Sequence, residues 1–159
     1  MNSPVGPSTR DLTVVQRVSR KPSISIINSS NVRDEDLAKE GADKVRVKYL
    51  IDERHGSRNF ALRLYTLAKG GHTPLDEHLH EHQVYVLSGR GLVRQSNEGG
   101  SSKLTLQRGD TIFVPSNAVH QFSNEQDEPF VFLCVKGNPD LYQHKELVKT
   151  SDESNRNYC

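Results

Sequence analysis

The sequence has no tryptophan, one methionine and only two cysteines. Cys134 and Cys159 form no C-x-x-C pair, so no disulfide scaffold is indicated. Cys134 lies in an apolar stretch and reads as a buried free thiol, which suits a reducing, cytoplasmic setting. An excess of charge of either sign is also missing. Lys and Arg number 21 against 20 Asp and Glu, for a net charge of +1, which points away from nucleic acid and anionic membranes as partners. Long hydrophobic runs are absent, and nothing approaches the roughly 20 apolar residues of a membrane span. Residues 1–22 carry three prolines and no apolar core of a signal peptide. Hydrophobic residues make up only 33%, and mean hydropathy is −0.68, so part of the chain must be polar tail. No internal repeat and no helical periodicity emerge. At 159 residues the expectation is one domain with tails.

What is there instead is a succession of short apolar stretches separated by Gly, Pro and Asn turns. Lys44 to Leu50 alternates Val45, Val47 and Tyr49 against Lys44, Arg46 and Lys48, as a half-buried strand does. In Asn59 to Leu67, Phe60, Leu62 and Leu64 face one way, while Arg63 and Tyr65 face the other. Further strands are expected at Ser23–Asn28, 74–79, 82–88, Leu92–Gln95, Lys103–Gln107, Thr111–Val114, Gln121–Ser123 and Pro129–Val135, with a weak candidate at Thr13–Val18. Asp34–Gly41 is read as a short helical turn and Asp140–Leu147 as a possible short helix. The organisation expected is a flexible segment 1–22, a barrel 23–136 and a polar tail 137–159 that ends in disorder. Many short strands at regular spacing argue for an all-β barrel or double-sheet jelly roll.

The densest chemistry lies in Gly70–Gly91, GGHTPLDEHLHEHQVYVLSGRG, which holds four of the seven histidines. His72, His78, His80 and His82 are interleaved with Asp76, Glu77 and Glu81. Imidazole and carboxylate are ligands for divalent first-row metals, and alternation puts residues two apart on one face. Asp76 and His78 share a face if 74–79 is a strand; His82, Val84 and Val86 share one on the next. His80 and Glu81 fall in the connection between them. His55 and His144 read as solvent-facing, and Tyr85 has the parity that points away from the site.

A second stretch, Gly109–Asn124, reads GDTIFVPSNAVHQFSN and contributes His120. Together the two stretches resemble the cupin family. The second cupin motif, Gly, five residues, Pro-x-Gly, two residues, His, three residues, Asn, is matched by Gly109, Pro115, His120 and Asn124. Asn117 stands at its central Gly, and Asn is the best substitute where φ is positive. The first stretch follows a variant of the first motif, GGHTPLHxHPxEHEVFVLxGxG, with Asp76 at the first ligand His, His78 at the second and His82 at the usual Glu.

The resemblance, over about residues 45–136, implies a single cupin jelly-roll β-barrel (a double-stranded β-helix) with short N-terminal strands. It implies one divalent metal ion per chain, Fe(II), Mn(II), Ni(II) or Zn(II), on Asp76, His78, His82 and His120, with His80 the substitute if the shorter Asp76 does not reach. It implies a homodimer and a small-molecule substrate, with dioxygenase, decarboxylase or isomerase chemistry; the alternative is a non-enzymatic binding or sensing module in which the metal is a clamp. If the Arg63 face lines the barrel, Arg63 is a candidate for binding a substrate carboxylate.

Overall fold

The computed structural model describes residues 23–97 and 99–141. The weak strand at 13–18, the flexible segment 1–22, most of the expected C-terminal helix, His144 and Cys159 lie outside them. The described chain is an all-β jelly-roll barrel of nine strands in one curled antiparallel sheet. The strands are β1 (Glu35–Asp36), β2 (Asp43–Ile51), β3 (Phe60–His72), β4 (His82–Ser88), β5 (Arg90–Asn97), β6 (Gly100–Gln107), β7 (Thr111–Val114), β8 (Val119–Ser123) and β9 (Phe130–Gly137). The sheet runs β6-β5-β8-β3-β9-β4-β7, and β2 adds to β3 with β1 outside it. No helix among the described residues is long and apolar enough to cross a membrane.

Period-two patterning builds this core. On β9, Phe130, Phe132 and Cys134 turn inward and are buried, while Val131, Leu133 and Val135 are only half-buried on the outer face. Val84 and Val86 of β4, Tyr65 and Leu67 of β3, and Val45 and Val47 of β2 meet them inside. The Phe132 ring lies 5.2 Å from Tyr65, 5.0 Å from Phe122 and 5.1 Å from Phe130. This aromatic cluster closes the barrel below the histidines. Close packing here depends on Gly91, where an added Cβ would come within 2.4 Å of the Phe130 ring.

Three expected elements differ. Ser23–Asn28 forms no strand, and its Ile24 and Ile26 stand 95% exposed, because no sheet edge among the described residues pairs with it. Asp34–Gly41 is no helical turn: residues 35–36 pair with β2, and Arg46 holds Asp34 (2.9 Å) and Asp36 (3.2 Å) across that pairing. Gly41 does turn the chain, at φ 79°. Residues 74–79 are an irregular loop, paired to the sheet backbone through an isolated bridge from Asp76 to His120. At the far end, residues 139–141 form a single 3-10 turn.

Candidate metal centre

The loop between β3 and β4 is pinned to β8 by its backbone. The Asp76 N–H donates to the His120 carbonyl and the His120 N–H to the Asp76 carbonyl, both at 3.0 Å. The Asn117 N–H donates to the His78 carbonyl at 2.8 Å, and Asn117 itself sits at φ 62°, the conformation expected of the residue replacing Gly. These bonds bring His78, His80, His82 and His120 to one wall of the barrel interior. His78, His80 and His82 each offer a ligand atom within 4.8 Å of the others, so three histidines are positioned to bind a metal.

The ring atoms define the site further. His78 Nδ1 lies 2.8 Å from the His80 carbonyl, and His120 Nδ1 lies 2.8 Å from the Ala118 carbonyl. A carbonyl only accepts, so each Nδ1 carries the hydrogen and each Nε2 keeps its lone pair. His82 Nε2 is 2.8 Å from His78 Nε2, and His82 Nδ1 is 3.0 Å from Cys134 Sγ. One proton arrangement satisfies this chain: Cys134 S–H donates to His82 Nδ1, and His82 Nε2–H donates to His78 Nε2. Burial pushes the Cys134 thiol up to about 12, which keeps its proton in place. The His120 ring stands edge-on at 5.1 Å from His78 and 5.4 Å from His82. His80 is 9% exposed and stacks flat on His78, with ring centroids 3.5 Å apart and planes 11° from parallel.

Of the four residues expected as ligands, the structure therefore groups His78, His82 and His120 around one space. Asp76 borders the same cavity, but its carboxylate is ion-paired with Lys39. Two more residues stand beside the histidines. His80, expected in the connection and as the substitute ligand, lies in that connection with its ring turned inward onto His78. Lys136, expected as the last residue of the barrel just past the strand Pro129–Val135, falls within β9, which runs on to Gly137, and keeps the inward parity of Phe130, Phe132 and Cys134. That parity was the available signal. Arg63 does line the cavity, as its parity with Tyr65 allowed.

The cavity is about 100 Å³ and is walled by Leu37, Tyr65, Phe122 and Phe132 besides the histidines. At roughly 10–15 Å³ per water position it holds on the order of seven to ten water-sized groups, the scale of a small organic molecule.

The imidazoles suppress one another's charge. His82 is pushed down to about 2, by burial first and then by His78, His120, His80 and Lys136. His80 is pushed down to about 3, by burial and then by the charge of Lys136. His78 is lowered by burial and then by His120. These rings are neutral at neutral pH, as metal ligands must be. Unfolding returns each to about 6.5, so below that pH the unfolded chain binds more protons than the folded one. Stability of the metal-free protein should therefore fall as pH drops through about 6.5 and continue falling toward about pH 3. Thermal melts of metal-free protein from about pH 7.5 to about pH 5 check this, and a constant midpoint would contradict it.

Comparison with known proteins agrees with this architecture. Residues 63–136, from Arg63 to Lys136, match the family described as Cupin domain. These residues are a cupin domain. The chain is 34% identical over 74 residues to 1-methylthio-D-xylulose 5-phosphate methylsulfurylase of Rhodospirillum rubrum, covering 46% of this chain and 45% of that protein. It is 32% identical over 111 residues to glucose-6-phosphate isomerase of Pyrococcus abyssi, covering 64% of this chain and 59% of that protein. The chain thus spans about half the length of these curated relatives. Among solved structures it resembles the polyketide cyclase RemF of Streptomyces resistomycificus, with a TM-score of 0.66 at 26% identity over 72% of this chain and 80% of that one.

Proposed function

We propose that this cupin is a metal-dependent enzyme acting on a small oxygenated or carboxylate-bearing molecule. A divalent first-row ion would be held by Nε2 of His78, His82 and His120, with the Asp76 carboxylate as fourth ligand. The observation that carries this reading is the inward aim of the Nε2 atoms of His78 and His120, each fixed by an Nδ1–H bond to a backbone carbonyl. That is the outer-shell arrangement metal-ligating histidines use. His82 joins once its proton moves from Nε2 to Nδ1, where the Cys134 sulfur is the acceptor. His80 is less suited, although it is close. Its ring is parallel to His78, so the in-plane lone pairs of the two cannot converge on one point. The Asp76 carboxylate would serve as a ligand on releasing Lys39.

When bound, the ion would supply Lewis acidity to a substrate oxygen. The chain's own residues do the rest. Leu37, Phe122 and Phe132 keep water from the far side of the pocket, and Tyr65 presents a hydroxyl already hydrogen-bonded by Arg63 Nη1 at 3.4 Å. The names of two relatives, an isomerase and a methylsulfurylase, both refer to phosphorylated sugars and are compatible with a small oxygenated substrate.

The test is turnover that depends on metal. Protein stripped by chelator and reloaded separately with Fe(II), Mn(II), Ni(II) and Zn(II) is screened on small hydroxy acids, diketones and sugars for isomerisation, decarboxylation and oxygen uptake. At least one metal should restore turnover that the stripped protein lacks. Stoichiometric substrate binding with no turnover under any metal would favour the sensing or binding module instead.

A further inference from the structure

We infer that Arg63 and Lys136 form an oxyanion-binding site contiguous with the histidine pocket, one that receives the carboxylate or phosphate end of a small anionic substrate. The inference rests on the proposed metal-dependent reading for the term substrate, but its geometry stands apart from the metal.

Register places both cations inside. Across β9 and β3, Arg63 is opposite Cys134, and across β9 and β4, Lys136 is opposite His82. Directly opposed residues share a face with Cβ atoms about 4.5–5.5 Å apart. Both side chains border the histidine cavity, and both also border a more open cleft of about 410 Å³ beside Tyr49, Arg58 and Phe60. They therefore stand at the passage from the cleft to the histidines.

Neither cation has a carboxylate of its own. Among the described residues the ion pairs engage Lys39, Lys44, Arg46, Arg54, His55, Lys69 and Lys103, and neither Arg63 nor Lys136 is among them. Of the acids that border the two cavities, Asp76 is held by Lys39 and Asp52 by Arg54, while Glu35 and Glu53 line the outer cleft and pair with neither cation. Arg63 Nε is buried and has no hydrogen-bond acceptor, its Nη1 meets only the neutral Tyr65 hydroxyl, and its guanidinium lies 5.1 Å from the Tyr49 ring centroid. A half-buried guanidinium with a free N–H and a neighbouring ammonium is costly unless an anion completes it. Arg presents a planar fork to carboxylate and phosphate, and Lys a point charge, so the pair is matched to an oxyanion. Burial and the Arg63 charge also lower the Lys136 ammonium, which a bound anion would reverse.

The test is calorimetric titration of the full chain, metal-loaded and metal-stripped, with lactate, its neutral analogue lactamide, and inorganic phosphate. The variants are Arg63→Met, Lys136→Met and the charge-keeping Lys136→Arg. The parent should bind lactate or phosphate. Both Met variants should weaken that binding on the order of tenfold or more, the scale of a lost charge-assisted bond, and Lys136→Arg should retain most of it. Metal content should be unchanged in all three, and Lys136→Met should melt no lower than the parent, since it relieves an unpaired cation. Loss confined to lactate identifies a carboxylate ligand, and loss confined to phosphate a phosphorylated one. Equal binding by parent and Met variants, lactamide binding as tightly as lactate, or no binding of either anion by the parent would overturn the site. So would Met variants that lose metal together with the anion. If the parent holds no metal, the functional reading fails, while anion binding by the stripped protein still decides this inference separately.

Discussion

Protein purified without chelator should carry close to one divalent ion per chain, and His82→Ala should carry almost none. His82 meets both the loop and β8, with Nε2 2.8 Å from His78 Nε2 and its ring 5.4 Å from that of His120. Removing it deletes a ligand and opens the space the others share. Outer-shell losses alone cost roughly 10–100-fold in affinity, and loss of a ligand should exceed that. His78→Ala and His120→Ala should behave alike, whereas exposed His55, engaged with Asp52, should be replaceable by Ala without effect. Elemental analysis of untagged protein reads all four. Full metal retention in His120→Ala would remove His120 from the ligand set. The fourth position is decided in the same series: Asp76→Asn should lower occupancy. Undiminished binding by Asp76→Asn together with loss in His80→Ala would redraw the set around His80.

Asn124→Asp should unfold the protein well below the parent's midpoint. Asn124 is wholly buried. Its Nδ2 donates to the carbonyls of Leu67 (3.0 Å) and Glu128 (2.8 Å), and its Oδ1 accepts from the Gln126 N–H (2.8 Å). Its backbone also closes the barrel to β3, with Asn124 N–H donating to Gly71 and Gly70 N–H donating to Asn124. A carboxylate keeps the acceptor but turns both donors into lone pairs facing carbonyl oxygens, in a place without water. The expected loss is about 3–5 kcal/mol, or roughly 10 °C or more in midpoint. A midpoint within about 2 °C of the parent would show that these bonds contribute little.

Much of the fold was legible because strand patterning is local. The alternation in Lys44–Leu50 marked Val45 and Val47 for the core, and both are buried; that in Asn59–Leu67 separated two faces without saying which is inner, and the structure buries Tyr65 and Leu67 and leaves Phe60 exposed. The positive φ at Asn117 and the buried Cys134 were likewise readable from residue type and neighbours. Local patterning failed where pairing was needed. Nothing in residues 23–28 says that no strand will meet them, and nothing in residues 34–41 says that Arg46 will draw two of their carboxylates onto β2.

The sequence by itself determined which metal-ligating side chains stand near one another. Histidines at 78, 80 and 82 cannot lie far apart, and the spacing from Gly109 to Asn124 carried the resemblance that brought in His120. Only the tertiary structure decided how each side chain is used. A carbonyl fixes the ring hydrogen of His78 and of His120, Lys39 claims the Asp76 carboxylate, and β9 runs one residue far enough to turn Lys136 inward beside Arg63. The two ring–carbonyl bonds are local, each spanning two positions, but Lys39 and Asp76 lie 37 positions apart and Arg63 and Lys136 lie 73 apart (136 − 63 = 73). Their meeting depends on strand register, which is set by the whole curled sheet and not by any one stretch of it.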